Sequence, residues 1–233
     1  PSGVVKVDAR FTSADMQVAE SEVSEATRTA TFTPGNDAAR KAAAKLNVPR
    51  IGVRFRLPAE MNVVEYFGRG PEENYIDRNA GTLIGLYKTT ADKMYYNYVR
   101  PQENGHHTDT RWLSLSKKGG KGLTIVADSI IGFNALRNSI EDFDSEEALP
   151  HPRQWNNFSP EEIANHDEEA ARNVLRRMHH VNDITPRDFV EVCVDMKQQG
   201  VAGYNSWGAR PEPGYTIPAN QEYNWGFTLI PDK

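Results

Sequence analysis

An all-β domain is the fold class this sequence predicts, and three observations carry that reading. Short apolar runs with period-two alternation recur along the chain. Gly, Pro and Asn turn signals separate most of them. Only one stretch carries convincing helix signals. Strands joined by such turns argue for two packed sheets rather than alternating βαβ units. The chain has 233 residues, a length that β-sandwiches reach as one domain, so residues 1–233 are read as a single domain.

The elements follow in chain order. From residue 51, IGVRFRL alternates strictly, with Ile51, Val53, Phe55 and Leu57 on one face and Gly52, Arg54 and Arg56 on the other. Further strands are predicted at MNVVEYFG (61–68), RWLSLS (111–116), LTIVADS (123–129), GFNALRN (132–138), DFVEVCVDM (188–196) and YNWGFTLI (223–230). In DFVEVCVDM the inward set is Val190, Val192, Val194 and Met196, which puts Cys193 on the other face with Glu191 and Asp195 as a passive, packed thiol. Ser159, Pro160 and Glu162 give an N-cap, a proline at the first helical position and a capping-box glutamate. They predict a helix of short to medium length over 160–179. AARKAAAKL (38–46) has helix composition but no apolar stripe. KKGGKG (117–122) precedes a strand rather than a helix, so it reads as a hairpin turn and not as a phosphate loop.

Composition excludes several classes of function. The charge of -5, from 27 Lys and Arg against 32 Asp and Glu, is spread without long single-sign blocks, so no nucleic-acid footprint is expected. No 18-residue apolar span is present, and no membrane partner is expected. Cys193 is the sole cysteine, which rules out an internal disulfide. The opening PSGVVKVDAR, with neither Met nor a signal-type region, reads as a piece of a longer protein. The compartment stays open, because any targeting signal would lie upstream.

No catalytic constellation stands out. The six histidines form neither HExxH nor a Cys/His cluster, so no metal is expected, and adjacent His106 and His107 on a strand would point apart. GxSxG is missing. Glycoside hydrolysis needs two carboxylates in different protonation states. Glu72 and Glu73 read as exposed and too alike to divide those roles. What does stand out is a pair of polar, aromatic loops, YFGRGPEENYIDR (66–78) and YVRPQENGHHTDTRW (98–112), of the kind that carries binding work. Arg100, Glu103, Asp109 and Arg111 in the second are expected to fix loops over the sheet ends through ion pairs and backbone bonds. In GYNSWGARPEPGY (203–215), Trp207 has no hydrophobic run beside it, and the residues alone leave it open as a loop anchor or a ligand platform.

These stretches resemble one family in particular. PRIGVRF (49–55), EYFGRGPEENYIDR (65–78), YVRPQENGHHTDTRWLSL (98–115), HHVND (179–183) and GVAGYNSWG (200–208) are similar, in order, to the C-terminal domain, or small chain, of glycoside hydrolase family 2 β-galactosidases. The resemblance covers 49–230. It implies a two-sheet supersandwich of the galactose-mutarotase type, with residues 1–48 as variable opening strands and 139–158 as a surface insertion. It also implies that the catalytic glutamates and a magnesium site lie in a separate barrel upstream, so this domain contributes no catalytic residue and holds no cofactor. The implied partners are those upstream domains or a large chain, the β-galactoside substrate, and further copies in a homo-oligomer. Trp207 matches the family tryptophan that reaches into the barrel as a sugar platform, a task that suits the broad apolar face of an indole. Trp112 and Trp225, in strand patterns, and Trp155, in the insertion, do not inherit that role. A free-standing carbohydrate-binding module and an aldose-1-epimerase-like isomerase are the alternatives. In the isomerase, His106, His107 and a glutamate would have to supply acid and base.

Overall fold

The computed structural model describes residues 3–12, 47–143, 181–201, 203, 205, 210–219 and 221–232. Among these, the strands are β1 (Val5–Phe11), β2 (Arg50–Pro58), β3 (Val63–Gly70), β4 (Leu83–Thr90), β5 (His107–Ser116), β6 (Gly122–Leu136), β7 (Phe189–Gln198) and β8 (Tyr223–Pro231). One short helix, α1 (Ala91–Met94), follows β4. All pairings are antiparallel. The chain is all-β, as its alternation predicts.

The strands run in the order β1-β8-β6-β5-β3-β4, with β7 joined to β6 and β2 to β7. The fork lies within β6. Leu123 to Ala127 pair with β8, and Gly132 to Leu136 pair with β7, while β5 lines the other edge of both halves. LTIVADS and GFNALRN are therefore one strand that changes partner, where the sequence reads as two. Side chains from both arms close one core: Tyr66 of β3, Leu113 of β5, Phe133 of β6 and Val192 of β7 are all buried in it, with Phe55 of β2 packed against them. Burial of this apolar surface, at about 25 cal/mol per Å2, is the main force holding the arms together.

LIGLYKTT forms β4, which the sequence reading lacks. Leu83, Ile84 and Leu86 are exposed on this edge strand, so its apolar residues do not mark a buried face. The β5–β6 connection is the expected hairpin turn: Gly120 N donates to Lys117 O at 3.0 Å, and Gly119 takes φ 65°, a conformation that favours glycine. Cys193 is packed, and burial pushes its thiol up to about 12. Both faces of β7 are buried, since Glu191 and Asp195 are covered as fully as the valines. The helix expected over 160–179, AARKAAAKL, Trp155, Trp207, the histidines at 151, 166, 179 and 180, and the 139–158 segment from residue 144 onward lie outside the described residues.

Candidate functional site

The two polar loops singled out in the sequence lie against each other. Asn74 N donates to His106 O at 2.7 Å, and the Asn74 side chain accepts from Thr108 N at 2.9 Å while donating to the carbonyls of Arg69 and Glu72. One side chain thus braces its own loop and ties it to the second. Arg69 Nε donates to Asp109 Oδ2 at 2.7 Å, and Arg111 donates to Asp109 O, which gives Asp109 and Arg111 the loop-fixing parts expected of them.

Glu73 corrects the sequence reading. It is 9% exposed, whereas Glu72 is exposed, so the adjacent carboxylates occupy different environments. Glu73 accepts from Arg78 Nη2 at 2.7 Å, from the Tyr98 hydroxyl and from Gly105 N. Three donors anchor it. Burial, with the Glu73 charge, pushes the Tyr98 phenol up to about 12, so it stays protonated and donating.

Behind this lies a second, more buried network. Arg50 grips Asp195 with two bonds, Nε to Oδ1 at 2.8 Å and Nη2 to Oδ2 at 2.6 Å. Burial pushes the Asp195 carboxyl up and Arg50 pulls it back, with the balance at about 6. Asn134 uses all its hydrogen-bonding capacity. Its amide donates to Glu103 Oε1 at 3.0 Å and Asn104 O at 2.7 Å, and its carbonyl accepts from Arg50 and from His106 Nδ1 at 2.8 Å. Because the Asn134 amide hydrogens are both committed, His106 must donate through Nδ1, which fixes its tautomer. Burial, helped by nearby Arg50, pushes His106 down to about 3, so the ring is neutral and cannot form an ion pair with Asp195 at 3.7 Å.

His106 and His107 part as alternation requires. His106 stacks on Tyr75 with centroids 5.4 Å apart; His107 stacks on Phe133 at 5.2 Å and meets the Tyr66 ring edge-on. Burial also holds His107 below its ordinary range. Among the described residues, no group of three His, Cys, Asp or Glu side chains converges to hold a metal.

This network forms one wall of an open groove of about 740 Å3. Arg50, Tyr98, Glu103 and Gln198 line it, and so do Val201 and Pro211, which bracket in sequence the stretch carrying Trp207. The base of that stretch is tied: Gly200 N donates to Tyr215 O at 2.7 Å. Of the other tryptophans, Trp112 lies in β5 and Trp225 in β8, tilted on Phe227 at 5.4 Å. Arg50, Asn134 and Asp195 were not among the residues singled out in the sequence. Arg50 is one of three arginines in β2 and Asp195 one of two acids in β7, so nothing local set them apart.

Fold and groove together define the class: an antiparallel β-sandwich whose end loops line an open, polar groove. Residues 2–229 match the β-galactosidase small chain family, and the chain belongs to it. Among its relatives is a β-galactosidase of Priestia megaterium (strain DSM 319 / IMG 1521), 33% identical over 184 residues, which are 79% of this chain and 15% of that protein. A β-galactosidase of Arthrobacter sp. (strain B7) is 40% identical over 124 residues, 51% of this chain and 12% of that protein. One from Streptococcus thermophilus is 26% identical over 186 residues, 79% of this chain and 15% of that protein. The chain therefore spans 12 to 15% of the length of these relatives.

Proposed function

We propose that this chain is the small-chain domain of a family 2 β-galactosidase, which removes terminal non-reducing β-D-galactose, and that it completes the substrate pocket of a catalytic barrel elsewhere in the enzyme. The observation that carries this reading is the family match over residues 2–229, together with the small share of each β-galactosidase relative that the chain spans. The catalytic glutamates and magnesium belong to the barrel, and the full-length enzyme is a homo-oligomer.

In this reading Trp207 is the sugar platform. Support comes from the groove, whose wall includes Val201 and Pro211 on either side of that stretch in sequence, and from its polar lining with the Tyr98 ring. The isomerase alternative loses its acid and base: His106 and His107 are 1% and 2% exposed and already bonded.

Two measurements test the proposal. The purified chain alone should give no turnover of a nitrophenyl β-galactoside, and appreciable turnover would refute the division of labour. In the full-length enzyme, Trp207→Ala should weaken binding of the substrate or acceptor sugar by about 1–3 kcal/mol, on the scale of base stacking on aromatics. Unchanged kinetics would remove Trp207 from the pocket.

A further inference from the structure

The groove contains an unfilled hydrogen-bonding position. Gln198 ends β7 directly opposite Arg50 in register, so the two side chains share a face, and both line the groove. Gln198 is 7% exposed, and its side-chain carbonyl is buried with no hydrogen-bond partner among the described residues. Folded proteins rarely leave a buried carbonyl without a donor. Glu103, on the same groove, gives Oε1 to Asn134 and keeps Oε2 at 3.5 Å from Arg50 Nη1, which leaves that oxygen room to accept again. Arg50 and Asn134, themselves held by Asp195 and His106, keep Glu103 from swinging away. Tyr98 adds an aromatic ring to the same lining.

Two acceptors and a phenol ring lining one groove call for an uncharged ligand rich in donors. Adjacent sugar hydroxyls meet that description. A phosphate or carboxylate would be repelled by Glu103, and an aryl group offers Gln198 no donor. We propose that Glu103 and Gln198 form a hydroxyl-binding pair for the leaving-group saccharide, making the enzyme select galactosyl sugars over aryl galactosides. This rests on the proposed β-galactosidase role. Galactose is common to both substrate types, so a hydroxyl site that tells them apart acts on the leaving group.

The test uses the full-length polypeptide carrying Gln198→Leu or Glu103→Gln, with Lys118→Ala on the exposed hairpin turn as a control. The first readout is the ratio of kcat/KM for lactose to that for a nitrophenyl β-galactoside. The second is glucose binding followed by saturation-transfer NMR. Loss of one hydroxyl contact should lower the ratio about tenfold and weaken glucose binding by a similar factor. The control should change neither. A ratio that stays constant, whether both rates fall or neither does, overturns the pair. If the parent enzyme cleaves no galactoside yet binds glucose and Gln198→Leu abolishes that binding, the pair stands and the enzymatic reading falls. Glu103→Gln keeps an acceptor for Asn134, so it decides the matter should Gln198→Leu fail to fold.

Discussion

Arg50 is the side chain on which the inner network turns, and its removal has a calculable consequence. Asp195 is 1% exposed and its two oxygens both rest on Arg50. Arg50→Met should cost about 3–5 kcal/mol in urea unfolding, because it strands a buried charge rather than merely deleting an ion pair. A loss under 1 kcal/mol would show that water reaches Asp195. Gly132 is constrained in another way. A Cβ there would lie 2.5 Å from His106 Nε2, and that ring cannot retreat because it is stacked on Tyr75 and bonded to Asn134. Gly132→Ala is expected to cost about 1–3 kcal/mol by overpacking. The buried histidines set the pH response. His106, pushed to about 3 from its ordinary 6.5, and His107, pushed down as well, are neutral when folded and take up protons on unfolding. Their stability contribution is full above pH 6.5 and declines as the pH falls toward 3. Asp195, raised from 3.8 to about 6, has the opposite slope between those values, but one carboxyl does not outweigh two histidines. Tm should therefore be lower at pH 5 than at pH 7, and a rise on acidification would contradict the assignment. Little of this was legible in the sequence. Nothing in GRGPEENY separates Glu73 from Glu72, and only the fold brings Arg78, Tyr98 and Gly105 around the first of them.

Among elements, β6 bears the heaviest duty, and Phe133 stands where its two partnerships meet the core. The ring is fully buried, stacked on His107 and edge-on to Tyr66. Phe133→Ala should cost about 3–5 kcal/mol, read from chemical denaturation, and a much smaller loss would mean that the arms pack independently at that point. Strand alternation made β2, β3, β5, β7 and β8 readable because each presents one face to the shared core. The same signal misled in two places. In β6 the break between LTIVADS and GFNALRN is a change of neighbour rather than an end of the strand, and a chain cannot announce its neighbours locally. In β4, Leu83, Ile84 and Leu86 lie exposed at the sheet edge, so their hydrophobicity reports no interior. The polar loops were visible as binding loops, yet their partners Arg50, Asn134 and Asp195 come from strands far away in sequence, which period-two reading assigns to a face and nothing more.

For the molecule as a whole, both arms of the fork share β6 and one core cluster, so neither can come apart while leaving the other intact. Unfolding followed by far-ultraviolet circular dichroism and by tryptophan fluorescence should trace superimposable transitions, and separated midpoints would divide the fold into two units. The shared strand also bears on the order of events in time. β5 and β6 are joined by the tight turn at Lys117 to Gly120 and can zip from it, whereas pairing β1 with β8 must bring together segments more than 200 residues apart in sequence. Closing the short loop first is the faster route. Gly119→Ala, which forces alanine into φ 65°, should therefore slow refolding, while Val7→Ala on β1 should mainly hasten unfolding. Stopped-flow rates showing the reverse would place the terminal pair in the nucleus. On this account the fork in β6 is also a clock: the long strand forms against β5 early, and its two other neighbours arrive on a template already laid down.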